Sequence, residues 1–146
     1  MNIQKFGRRL QGILSRGDVL GAYDAADVSF WYTGGCWILA HSLNILLGEK
    51  AILMSVGVDE LEPIDHIVVK YGDLYIDSSG AQTKGEFLQN FKRHDEEING
   101  EFDDENKILI VPFAKRLQEA AIDAGIERPW PQNVTPLLER LATLTD

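Results

Sequence analysis

Apolar residues recur along this chain with two periods, one near 3.6 and one near 2, and the switches between them mark the elements. Ile3, Phe6, Leu10, Ile13 and Leu14 share one helical stripe, so an amphipathic helix opens the chain and Gly17-Asp18 ends it. Val19 to Tyr32 carries no clean period, and Phe30-Trp31-Tyr32 reads as a short strand or a packed loop. A second helix is predicted from Cys36 to Leu47, with Leu39, Leu43, Leu46 and Leu47 along one face and Gly48 as its stop. Ala51 to Val56 then reads as a buried strand and Gly57 to Asp65 as an acidic loop. His66 to Tyr71 and Leu74 to Asp77 form a predicted hairpin about Gly72-Asp73, followed by a loop at Ser78-Ser79-Gly80.

Thr83 and Glu86 have capping-box spacing, and the helix they open turns Phe87, Leu88 and Phe91 inward. Ile108 to Val111 is a further apolar run, ended by Pro112. Leu117, Ala120, Ala121 and Ala124 predict a helix that stops near Gly125, and Pro129-Trp130-Pro131 is a stiff elbow. Thr135-Pro136 fits an N-cap with proline at the first helical position, opening a last helix through Leu137, Leu138 and Leu141.

The length of 146 residues points to one domain, 1–146, large enough to bury a real core. No apolar run approaches the ~20 residues that cross a bilayer. The basic N-terminal residues are not followed by the apolar stretch of a secretory signal. A single cysteine forms no intrachain disulfide, which fits a reducing, cytoplasmic setting. The formal net charge of −9 argues against sequence-independent binding to nucleic acid, whose affinity comes from Lys and Arg. Much of the acid is local: Asp95, Glu96, Glu97, Glu101, Asp103, Asp104 and Glu105 fall between Arg93 and Lys107. That stretch, 95–105, reads as a solvated loop, or as a docking surface for a basic protein partner.

The lone thiol is what changes the picture. Cys36 follows Gly34-Gly35 and begins the second predicted helix, where free N–H groups and the positive end of the macrodipole stabilise a thiolate. The glycines leave room for a substrate carbonyl, and the Cys36 amide is one oxyanion donor. With Gly72-Asp73 as a two-residue turn, Tyr71 pairs with Leu74 and Val69 with Ile76. His66 and Asp77 are then diagonal neighbours on one face, close enough for the carboxylate to orient the imidazole. A register slip of one residue puts them on opposite faces. The plain alternative makes Cys36 a small buried hydrophobe beside Leu39 and Leu43, His66 a structural residue and Asp77 a turn cap. His41 lies five residues past Cys36 on a different sector of the helix, and His94 falls in a charged stretch. No paired-ligand spacing supports a metal site, and no cofactor is expected.

The segment from Gly34 to Gly80 resembles the core of the transglutaminase-like and papain-like cysteine enzymes. The residues that carry the resemblance are Gly35-Cys36-Trp37-Ile38-Leu39-Ala40, then Leu43 to Gly48, Ala51 to Val56, His66 to Tyr71 and Leu74-Tyr75-Ile76-Asp77. It implies an α+β fold in which a Cys-bearing helix packs on a small antiparallel sheet, with flanking N- and C-terminal helices. It also implies thiol acyl transfer, with Cys36 as nucleophile, His66 as general base and acid, and Asp77 as orienter. The chain departs from the papain pattern in having no glutamine just before the cysteine; Gln4 and Gln11 lie on the first predicted helix.

The expected function is a cysteine peptidase, amidase, deamidase or transglutaminase acting on a protein or peptide substrate. The alternative, from another class, is an acidic binding or inhibitor protein of phage type on the same scaffold with an idle triad. Trp31, Tyr32 and Trp37 read equally as groove or as core.

Overall fold

The computed structural model describes residues 2–100, 108–125 and 131–145. The chain is α+β, with six α-helices and one five-stranded antiparallel sheet among the described residues. Helices α1 (Ile3–Leu14) and α2 (Gly17–Ala22) are followed by a 3-10 turn at Val28–Tyr32 and then by α3 (Cys36–Leu47). Strands β1 (Ala51–Gly57), β2 (His66–Tyr71), β3 (Leu74–Asp77) and β4 (Gly80–Gln82) run as a meander. After α4 (Lys84–Asn99), β5 (Leu109–Pro112) joins the free edge of β1, giving the order β4-β3-β2-β1-β5. Helices α5 (Lys115–Asp123) and α6 (Pro131–Leu141) complete the fold.

The period-2 alternation of the strands divides the core between the two faces of the sheet. Ile67, Val69 and Ile76 pack with α1, α3, α5 and α6 through Leu10, Leu39, Leu43, Leu117 and Leu137. Met54, Val56, Val68 and Tyr75 pack on the other face with Phe87 and Phe91 of α4. The predicted hairpin register is the observed one: Val69 pairs with Ile76 and Tyr71 with Leu74 across Gly72, whose φ of 62° suits the turn. The Thr83–Glu86 capping box closes in both directions. Phe87 and Phe91 are buried as expected, whereas Leu88 is half-buried.

Five sequence expectations change. Gly17-Asp18 opens a helix: α1 already ends at Leu14, and Asp18 sits in the first turn of α2 where the macrodipole favours its charge. Phe30-Trp31-Tyr32 belongs to a 3-10 turn, anchored by the Trp31 indole N–H on the Leu14 carbonyl at 3.0 Å. Gly80, expected in a loop, is the first residue of the short edge strand β4. Asp95, Glu96 and Glu97 lie on α4, so this part of the acidic stretch is helical; 101–107 lie outside the described residues, as do 126–130 of the proline elbow.

Finally, α6 begins at Pro131 and carries Pro136 inside it, so Thr135 is no N-cap. Proline supplies no N–H and disturbs the helical ladder. Here the Tyr23 hydroxyl enters the disturbed turn, donating to the Asn133 carbonyl and accepting from Leu137 N–H at 3.0 Å.

Candidate active site

Three elements deliver the thiol, the imidazole and the carboxylate. Cys36 is the first residue of α3, His66 the first of β2, and Asp77 the last of β3. The turn before Cys36 is fixed by its neighbours: Gly35 N–H donates to the Phe30 carbonyl at 2.8 Å, and Leu39 N–H to that of Gly35 at 3.0 Å. A Cβ on Gly35 would lie 2.5 Å from the Phe30 ring, so this glycine admits an aromatic neighbour, while Gly34 faces open space.

His66 Nε2 and Asp77 Oδ2 are 3.1 Å apart, with both residues 1% exposed. The predicted diagonal relation therefore becomes a direct contact. Asp77 Oδ1 accepts from Ser79 N–H at 2.8 Å and from the Gln82 amide at 2.9 Å. The other ring nitrogen, Nδ1, meets no acceptor or donor in good hydrogen-bond geometry among the described residues. The thiol of Cys36 nevertheless lies close enough to interact with the ring, since each group shifts the proton affinity of the other. A contact short of ideal alignment is usual for such pairs without substrate.

The meeting point is the start of β2. Cys36 packs with the apolar cluster on the α3 face, yet the backbone N–H groups of Ile67, the residue after His66, and of Trp37 favour the charged form of its sulfur. Burial pushes the thiol pKa up. The adjacent His66 imidazole and its charge, with those two N–H groups, outweigh it and hold the thiol below its ordinary range. For His66, burial opposes the charged form; Asp77 and Cys36 outweigh it and raise the imidazole to about 9. The pair is thus biased toward thiolate and imidazolium.

The site is covered. Cys36 is 8% exposed, and Tyr32 lies over the His66 ring at 4.0 Å between centroids. His94 stacks on the other face of Tyr32 at 3.9 Å. Outside this stack lies a cleft of about 440 Å³, lined by Tyr32, Ser78, Ser79, Arg93, His94 and Asp27 among others. Cys36, His66 and Asp77 do not line it. Of the aromatics near the thiol, Trp37 is core, while Trp31, itself buried, and Tyr32 both border the cleft. His41 stacks on Trp37, and its burial lowers its pKa.

Sequence reasoning missed Gln82, Asn90 and the position of His94. Phe87, Asn90, Phe91 and His94 repeat at spacings of three and four, so one face of α4 was the available signal. Gln82 gave none, because a three-residue strand has no readable period. Compared with protein-family models, curated proteins and solved structures, the chain gives no match.

Proposed function

We propose that this chain is a thiol-dependent acyl-transfer enzyme of papain-like or transglutaminase-like type, acting on an amide, isopeptide or thioester bond of a protein or peptide. The observation that supports it is the buried 3.1 Å contact of His66 with Asp77, beside a thiol held below its ordinary pKa. Cys36 thiolate attacks the carbonyl carbon, and the electron pair of the C=O bond moves to oxygen. The first turn of α3, with the Cys36 N–H, offers a donor to that oxyanion. The oxyanion collapses, the bond to the leaving group breaks, and His66 gives its proton to the departing amine or thiol. Water or an amine then attacks the thioester while neutral His66 takes its proton, and Cys36 leaves as thiolate. Asp77 keeps the imidazole oriented and stabilises its charged form throughout.

Burial of the triad favours a second reading, an idle scaffold that works as an acidic binding protein. Alkylation separates the two. A paired Cys36 reacts with iodoacetamide at pH 6 much faster than a free thiol of normal pKa, and intact-mass analysis of acyl probes finds a thioester that Cys36→Ala abolishes. Ordinary thiol reactivity with no acyl adduct overturns the enzyme reading. A biological effect that survives Cys36→Ala and is lost on neutralising Asp95, Glu96 and Glu97 establishes the binding one.

A further inference from the structure

We propose that Gln82, itself held by Asn90, is a positioning residue that fixes the Asp77 carboxylate and, through it, the His66 ring. This role rests on the reading of Cys36, His66 and Asp77 as one reactive group.

The four side chains form a continuous relay, buried except at Asn90, which is half-buried. Asn90 Nδ2 of α4 donates to Gln82 Oε1 at 2.7 Å. Gln82 Nε2 of β4 donates to Asp77 Oδ1 at 2.9 Å, and Asp77 Oδ2 meets His66 Nε2 at 3.1 Å. Gln82 is 3% exposed, and a buried primary amide in a three-residue edge strand needs partners for both its ends.

The direction of the relay follows from what surrounds it. Gln82 Nε2 faces three acceptors: the Asp77 carboxylate and the carbonyls of Tyr75 at 3.4 Å and Gly80 at 3.3 Å. Only the NH₂ end of the amide satisfies that set, so the carbonyl end faces Asn90, which must present its own NH₂. With Ser79 N–H at 2.8 Å, Gln82 places two donors on Oδ1 and leaves Oδ2 for the imidazole. A carboxylate free to rotate would share its oxygens between ring and backbone and lose that division of roles.

The relay also ties the reactive group to α4. Asn90 shares its helix face with Phe87 and Phe91, which pack beneath the sheet, and with His94, which lines the cleft. A displacement of α4 at the cleft therefore reaches Asp77 through one chain of hydrogen bonds.

The readout is the titration midpoint of His66, followed by NMR of the three histidines in the full chain, alongside the pH profile of Cys36 alkylation. The groups facing His66 are Cys36 from α3, Asp77 from β3, and Tyr32 from the 3-10 turn, with His94 of α4 stacked behind Tyr32. Gln82→Leu removes the donor; the expected results are a lower His66 midpoint and about tenfold slower alkylation at pH 6. Asn90→Ala, at a half-buried site, shifts both in the same direction by less. Gln82→Glu preserves shape but can donate to Asp77 only while its new carboxyl is protonated, so its His66 midpoint and alkylation profile change form with pH. A purely structural glutamine would lower stability and leave the His66 midpoint alone. Unchanged midpoints in folded Gln82→Glu and Asn90→Ala overturn the proposal. Ordinary thiol reactivity in the parent protein sinks the enzyme reading instead, while the His66 midpoint still decides the relay.

Discussion

Tyr32 lies flat on His66, with ring centroids 4.0 Å apart and planes inclined by 17°. The stack buries the imidazole and separates it from the cleft that Tyr32 and His94 line on the other side. Removing the ring opens that path, and the expected result for Tyr32→Ala is faster alkylation of Cys36, with a larger gain for a bulky maleimide than for iodoacetamide. The hydroxyl is not needed for cover: Tyr32 Oη is buried and has no hydrogen-bond partner among the described residues. Tyr32→Phe should therefore keep the parent reactivity and be neutral or slightly stabilising, since a buried unpaired polar group costs about 1–3 kcal/mol. Equal gains for both reagents in Tyr32→Ala would count against a covering role.

The Cys36–His66 pair also predicts an unusual pH dependence of stability. In the unfolded chain the imidazole titrates near 6.5 and the thiol near 9.0. In the fold the imidazole is raised to about 9 and the thiol is lowered. Taken alone, the raised His66 stabilises fully below pH 6.5, and that contribution is lost as pH rises through about 9. The lowered Cys36 has the opposite sign: its contribution is present above pH 9.0 and is lost as pH falls through its folded pKa. Where the folded thiol is already ionised, between pH 6.5 and 9, both states of the pair hold one proton, on the imidazole when folded and on the thiol when unfolded, so the slope from the pair is near zero there. Cys36→Ala removes one side of this balance. Because Cys36 is also one cause of the raised His66 pKa, the variant's urea-unfolding free energy is expected to depart from the parent's pH course between 6.5 and 9; parallel curves would show that the two groups do not share a proton.

Gly7 of α1 crosses β4 at close range. A Cβ built there would sit 2.5 Å from the Ala81 backbone nitrogen, which no side-chain rotation relieves. Gly7→Ala must push α1 away from the edge strand that also carries Gln82. A loss of about 1–3 kcal/mol in chemical denaturation is expected, the size of an overpacked core. Gly12, on the same helix, is the control: a methyl group there would meet no atom within 4 Å, so Gly12→Ala should be neutral or stabilising.

The Tyr23 hydroxyl bridges the turn that Pro136 disturbs in α6, joining Asn133 C=O to Leu137 N–H. Tyr23→Phe leaves both backbone groups without that partner at a half-buried site. The expected cost is about 1–3 kcal/mol, with the loss of hydrogen-exchange protection concentrated at Leu137. Uniform loss of protection across α6 would show that the hydroxyl bridge does not act locally at that turn.

Elements whose residues repeat on a short period were legible in the chain itself: α1 through its leucine and phenylalanine stripe, α3 from Cys36 to Leu47, and the β2–β3 hairpin with its register. The same reading put His66 and Asp77 on one face, because strand side chains alternate and the turn sets the count. Long-range packing settled how these elements meet at the site. The spacing of His66 and Asp77 became a bond through the closing of the sheet, and β4 took shape only between its neighbours, α1 and β3. The proline inside α6 needed a tyrosine from more than a hundred residues away in the chain. Gln82, Asn90, Tyr32 and His94 come to the site from three separate elements. Local periodicity reports which way a side chain points along its own strand or helix. Which groups then share a buried space depends on contacts between distant segments, and no short window of sequence contains them.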